Sequence, residues 1–168
     1  MNGVQLISAA LLESVERAAE DSPRRRMNHN FHAGPDDNPH RFLNVMRAGT
    51  YVCPHRHAEP AKAETFVVLR GHAAVALFDE EGHVRERHLL GLDPRPADFP
   101  DWAKNAPAAV GIDLAPGLWH TITALSESAI CFEVKPGPWS PASDKEFAPW
   151  APREGDPAAA AYLAGWLR

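Results

Sequence analysis

Cysteine is scarce in this sequence: there are two in 168 residues, Cys53 and Cys131. Two thiols cannot staple a disulfide scaffold or complete a four-cysteine zinc site, so the chain must fold on its own apolar core, and a reducing cytoplasm is the expected setting. Long apolar runs are missing too, and none approaches the roughly 20 residues that cross a bilayer as a helix. The N-terminal stretch has no basic leader and soon meets Glu13 and Glu16, a pattern unlike a secretory signal. Positive charge is in deficit, with 17 Lys plus Arg against 22 Asp plus Glu and a formal net charge of -5. Such a balance offers no electrostatic footprint for nucleic acid or for an anionic membrane, and neither is an expected partner. Hydrophobic residues at 45% and charged residues at 23% are ordinary globular proportions, on a chain long enough for one full core.

What the sequence does carry is nine His, sixteen Pro and five Trp. Residues 4–20 place Leu6, Ala9, Ala10, Leu12, Val15 and Ala19 at helical spacing, which predicts an amphipathic helix that Ser22-Pro23 ends. From Phe42 to Val134 the period changes to short β-rich runs: 42–48, 50–57, 64–70, 72–79, 84–92, 110–115, 119–126 and 129–135. Strands this short, with no helical pattern between them, predict a small antiparallel barrel or sandwich, with a hairpin turn at Glu80-Glu81-Gly82. The segment 93–107 holds four prolines and is expected to be a loop, with Trp102 a candidate lid residue. The Pro- and Trp-rich tail reads as a strap followed by a short closing helix. The expected organisation is therefore one domain over 1–168: a helix in 1–23, a polar strap over 24–41, the barrel over 42–135, and a strap with a short helix over 136–168.

The chemistry concentrates in Gly49-Thr-Tyr-Val-Cys-Pro-His55-Arg-His57, followed by Glu64 and, much later, His120. Alternate side chains of a strand share a face, so His55 and His57 point the same way and can bring ring nitrogens to about 2.0–2.1 Å from one ion. The same parity turns Tyr51 and Cys53 inward. An antiparallel return after the six-residue loop 58–63 would carry the Glu64 carboxylate back over the His pair. Along 129–135, Glu133 and Lys135 share a face with Cys131, either a solvated outer surface or a polar pocket wall. Arg24, Arg26, Asn28, Asn30 and His32 also alternate; over a barrel mouth they would present donors suited to phosphate or carboxylate, and as a free loop they would be solvated. His29, His40, His72, His83 and His88 fall in turn-rich or hairpin positions and are read as surface or packing residues.

The pattern G-x5-H-x-H-x6-E-x6-G over 49–71, with G-x4-P-G-x2-H over 111–120, resembles the paired motifs of the cupin superfamily. More narrowly, R-x-R-x-N-x-N-x-H at 24–32, the PHRH and ETFVVLRG cores and the tail 132–152 resemble the WbuC family of cupin-fold metalloproteins, associated with bacterial polysaccharide (O-antigen) gene clusters. The resemblance implies a small antiparallel jelly-roll barrel in which His55, His57, Glu64 and His120 hold one divalent metal, of which Fe, Mn, Zn and Ni suit the donor set. The gap between His57 and Glu64 is longer than the family's usual one, which leaves Glu64 open as a ligand or as a catalytic base. The implied activity is isomerase, epimerase or non-haem oxygenase chemistry on a sugar-derived or anionic small molecule. Arg24, Arg26, His32, Tyr51, Glu133 and Lys135 are the candidate substrate-binding residues. The alternative is a non-catalytic ligand-binding or sensor module with a structural metal. A homodimer is the assembly that the resemblance implies.

Overall fold

Ser8 sets where the first helix begins. Its side chain accepts a hydrogen bond from the Leu11 N–H at 3.2 Å, so α1 spans Ala9–Asp21, and the periodic residues before Ser8 stay outside the helix, with Leu6 74% exposed. These positions belong to a computed structural model that describes residues 3–107 and 109–168; Met1, Asn2 and Ala108, which the expected boundaries take in, lie outside the described residues. After α1 come β1 (Arg26–Asn30), β2 (His40–Arg47), β3 (His55–Arg56), β4 (Glu64–Phe78), β5 (Val84–Gly91), α2 (Asp101–Asn105), β6 (Gly111–Leu114), β7 (Trp119–Lys135), β8 (Glu146–Phe147) and α3 (Ala159–Leu167). Every pairing between these strands is antiparallel, and a lone bridge of Leu90 with Ala109 is parallel. One path runs β1-β2-β7-β3-β8, and β4 joins β5, β6 and β7. The result is the mainly β, curled antiparallel barrel that the strand pattern predicted.

Two pairs of predicted strands are each one long strand. Runs 64–70 and 72–79 merge into β4, and 119–126 and 129–135 merge into β7. The two pair along both halves, Thr65 with Val134 at one end and Phe78 with Trp119 at the other, with a register shift between Gly71 and Ala73 where the sheet turns its corner. Gly71 sits there at φ 72°, and a Cβ at that position would collide with the Ser128 carbonyl oxygen. The predicted strand 50–57 shrinks instead to two residues. Thr121 and Thr123 use their hydroxyls to hold the Val52 and Thr50 carbonyls, at 2.6 and 2.7 Å, and Pro54 has no N–H to give, so this stretch follows β7 without forming a regular ladder. The polar segment 24–41 is not a simple strap, because Arg26 to Asn30 pair with Met46 to Phe42 and extend the sheet.

The two faces of this sheet are occupied differently. Inside the barrel, Met46, Phe66, Val75, Leu90, Ile122 and Cys131 form the apolar floor. Outside it, Val15 and Ala19 of α1 cover Leu43, Val45 and Ile130. On the outer face of the other end, Ala74, Ala76 and Trp119 are covered by Ala148, Ala151 and by Leu163 and Trp166 of α3. The proline-rich segment is no lid. Phe99 and Ala103 pack on Leu89, and Trp102 donates its indole N–H to the Leu167 carbonyl at 2.8 Å, which fastens it to α3. No helix among the described residues is long and apolar enough to cross a membrane.

Gly71→Ala is expected to lower the unfolding free energy by about 2 kcal/mol, because the left-handed backbone and the Ser128 carbonyl both resist a Cβ. Urea titration followed by far-UV circular dichroism measures this; an unchanged midpoint would show that the corner does not depend on this glycine.

Candidate metal centre

Adjacent strands bring the first two imidazoles together: His55 on β3 pairs in register with His120 on β7, with ring centroids 4.5 Å apart. His57 follows two residues on, its ring 5.2 Å from His55 and 5.9 Å from His120. The turn before β7 is tied to the same place, because Gly117, at φ 82°, donates its N–H to the His57 carbonyl at 3.1 Å. Glu64 opens β4 and places Oε2 3.0 Å from His120 Nε2 and Oε1 2.9 Å from His57 Nε2. Each of the four residues is 3% exposed, and their candidate donor atoms all lie within 4.8 Å of one another.

Backbone carbonyls fix which ring nitrogen faces the centre. His55 Nδ1 lies 3.0 Å from the Cys53 carbonyl oxygen, His120 Nδ1 lies 2.8 Å from that of Leu118, and His57 Nδ1 meets that of Asp144. A carbonyl can only accept, so each Nδ1 faces its carbonyl as the donor and leaves Nε2 as the ring nitrogen turned toward the centre. His57 Nε2 is buried and has no hydrogen-bond partner of good geometry among the described residues. Three Nε2 atoms and a carboxylate thus converge on one buried space as a donor set that a cation among them would satisfy. The residues therefore fit one divalent metal, and a set of three imidazoles and one carboxylate suits Fe, Mn, Zn or Ni.

Charge in the surrounding cavity of about 240 Å³ supports the same reading. Burial lowers His55 well below the ordinary histidine range, so the ring is neutral. Burial alone would raise Glu64, but the contacts with His120 and His57 and the charge of Lys135 outweigh it and keep the carboxyl ionised. Glu133, accepting from Asn44 Nδ2 at 2.9 Å, behaves oppositely: burial first, and the Glu64 charge second, push it up to about 8. Burial opposes the charge on Lys135, yet Glu64, Glu133 and Asp144 together raise it above the usual lysine value. Asp144 ties this corner together, taking Lys135 at 2.8 Å on one oxygen and Lys62 at 2.9 Å on the other. Burial lowers Lys145, which also lines the cavity.

The predicted site residues divide. His55, His57, Glu64 and His120 come together, and Arg24, Arg26, Glu133 and Lys135 line the cavity. Glu133 and Lys135 are buried pocket wall and not a solvated face. Arg26 is engaged, gripping both oxygens of Glu154 and the Tyr51 carbonyl. Tyr51 is a correction. Its hydroxyl donates to the Pro152 carbonyl at 2.7 Å and its ring packs against Tyr162, because strand parity fails in the irregular stretch before His55 and Val52 takes the inward place. His32 is a second correction. It lies beyond the end of β1, stacks on His40 at 4.1 Å and lines a neighbouring cavity with Gly34 and Pro35. Sequence reading missed Asn44, whose parity with inward-facing Phe42 and Met46 was the available signal. It also missed Asp144 and Lys145, adjacent charges in an otherwise Pro- and Trp-rich tail. A second acidic group, Asp79, Glu81 and His83, is committed to its own turn, where Asp79 accepts the Glu81 and His83 N–H groups.

No curated protein matches this sequence. Solved structures do match in fold. SO0799 of Shewanella oneidensis aligns at 13% identity over 71% of this chain and 72% of its own, with a TM-score of 0.52. TT1209 of Thermus thermophilus aligns at 16% identity over 75% of this chain and 93% of its own, with a TM-score of 0.50. The capsular polysaccharide assembling protein CapF of Staphylococcus aureus aligns at 17% identity over 75% of this chain, with a TM-score of 0.51, but over only 32% of its own, so the present chain spans about a third of CapF. These likenesses concern the barrel alone. In sequence, the profile of a domain of unknown function, DUF6016, covers residues 7–90, which is half of the 168 residues and takes in α1, His55, His57 and Glu64; the chain belongs to the DUF6016 family.

Proposed function

We propose that this protein is a divalent-metal enzyme that moves a proton on a small, hydroxylated, anionic metabolite, as an isomerase or epimerase does. One observation carries the reading: His55, Glu64 and His120, three of the four convergent donors, line a cavity with Glu133, a buried carboxyl group pushed up to about 8. A general acid or base works best when its pKa lies near the working pH, and burial and the Glu64 charge bring Glu133 toward that range. Asn44 holds one of its oxygens, and Lys135 sets the opposing charge. When bound, the metal would supply Lewis-acid polarisation of a substrate oxygen. His55, His57, His120 and Glu64 would hold it, and the burial of all four keeps bulk water from the reacting atoms.

Two buried free cysteines suit a reducing cytoplasm. The motifs over 24–32 and 132–152 support a WbuC-like protein working in polysaccharide metabolism, and the fold shared with a capsular polysaccharide assembling protein agrees with that setting. The cupin resemblance supports a homodimer.

Metal analysis after controlled loading tests the centre. His57→Ala should lose most of the bound metal and His55→Ala/His57→Ala essentially all of it; full retention in the double variant would refute the ligand set. Proton NMR in D2O, with metal-loaded protein and a panel of aldoses, ketoses and 2-hydroxy acids, tests the reaction. Loss of a C–H signal beside a carbonyl, slowed about a hundredfold or more in Glu133→Gln, is the expected result. Tight binding of a panel member with no exchange would make the protein a binding module instead.

Glu133 also makes a prediction about stability in the metal-free protein. A carboxyl raised to about 8 in the fold holds a proton that the unfolded chain has already released above the ordinary carboxylate range. Stability of the wild type should therefore fall, relative to Glu133→Gln, as pH rises from about 5 to 8, and the gap should level off above that. Denaturant titrations across this range check the sign; parallel curves would show that Glu133 ionises normally.

A further inference from the structure

A second cavity of about 380 Å³ adjoins the first, and Arg24, Arg26, Trp139, Asp144 and Lys145 line both. Phe147 and Arg153 complete its walls, and four cations face two carboxylates there. Both carboxylates are already committed. Glu154 takes Arg26 through both its oxygens, at 2.7 and 2.6 Å, and Asp144 takes Lys62 and Lys135. Arg24, Lys145 and Arg153 consequently form no ion pair among the described residues, although the protein as a whole carries a formal charge of -5. The guanidinium of Arg153 lies 4.8 Å over the Phe147 ring, which orients its planar fork. Like charges gathered in a concavity repel one another, and an anion of matching charge relieves them.

We propose that this second chamber binds the phosphoryl group of the substrate, whose reacting carbon lies in the adjoining cavity with Glu64 and Glu133. The inference rests on the proposed activity and narrows its substrate to a phosphorylated metabolite. A phosphoryl group carries a charge of about -1.5 to -2 near neutral pH and three strong acceptor oxygens, one for each of the three cations without an ion pair. A single carboxylate offers them one charge and two oxygens. Two arginines provide paired N–H donors, and Lys145, which lines both chambers, stands between the anion and the candidate ligands. Trp139, 45% exposed and common to both walls, offers a flat apolar face to the carbon frame that would bridge them.

Calorimetry with phenyl phosphate, a weak chelator, and with phenol as its uncharged counterpart tests this on metal-loaded protein at low ionic strength. Phenyl phosphate should bind and phenol should not. Lys145→Gln and Arg153→Gln should each weaken binding about fivefold or more, and Lys145→Arg should restore most of it. Neither Lys145 nor Arg153 forms an ion pair among the described residues, so these variants should fold and load metal as the wild type does. Arg85→Gln, at an exposed residue of the β4–β5 hairpin, should change nothing. Phenyl phosphate binding no tighter than phenol, or falling equally in Arg85→Gln, would overturn the proposal. Metal content, measured on the same samples, separates the two readings. Protein that never loads metal yet binds phenyl phosphate through Lys145 would keep the chamber and refute the metal enzyme. Protein that loads metal but ignores phenyl phosphate would refute the chamber alone.

Discussion

Three hydrogen bonds from imidazole Nδ1–H groups to main-chain carbonyls are the constraint on which the rest of this structure depends. Cys53, Leu118 and Asp144 provide the carbonyls, and each comes from a stretch with its own anchor. Threonine hydroxyls of β7 hold the segment leading to Cys53, the Gly117 turn presents Leu118, and a buried ion-pair network holds Asp144. The backbone thus sets the ring orientations, which turn three Nε2 atoms toward one carboxylate, the donor set a divalent cation would fill.

The barrel explains how so many ionisable groups are kept out of water. β4 and β7 run the full length of both halves and, as paired neighbours, supply Glu64, His120, Glu133 and Lys135, while the apolar floor of Met46, Phe66 and Ile122 closes the space beneath them. With so little water to screen them, neighbouring carboxyls diverge. Glu64, beside imidazoles and Lys135, stays ionised; Glu133, facing the Glu64 charge, holds its proton into the neutral range. Two chemically identical side chains on adjacent strands thereby acquire different work.

The sequence made the ladder and its inward face legible wherever the strands are regular. The period-two pattern on 129–135 placed Glu133 and Lys135 on the face of Cys131, and the spacing of His55, His57 and His120 pointed to a shared ion. It misled where backbone groups are satisfied off the ladder. Tyr51 has the parity of His55, but side chains of β7 capture the Thr50 and Val52 carbonyls and the alternation slips by one residue. His32 fails for a similar reason, lying past the last paired residue of β1. Asp144 and Lys145 lay beyond any periodicity, because the tail folds by ion pairs and by aromatic packing of Trp150 on Phe78, with only a two-residue strand to mark its course.

Asp144 has a consequence for how such a centre is inherited. Its carbonyl steers an imidazole 87 positions upstream, while its carboxylate separates two ammonium groups that would otherwise confront each other. A descendant shortened just after Lys135 would keep every long strand and all four candidate ligands, yet it would lose the carbonyl that meets His57 Nδ1 and the carboxylate between Lys62 and Lys135. The four motif residues alone then say less about the geometry of the site than they do together with the tail.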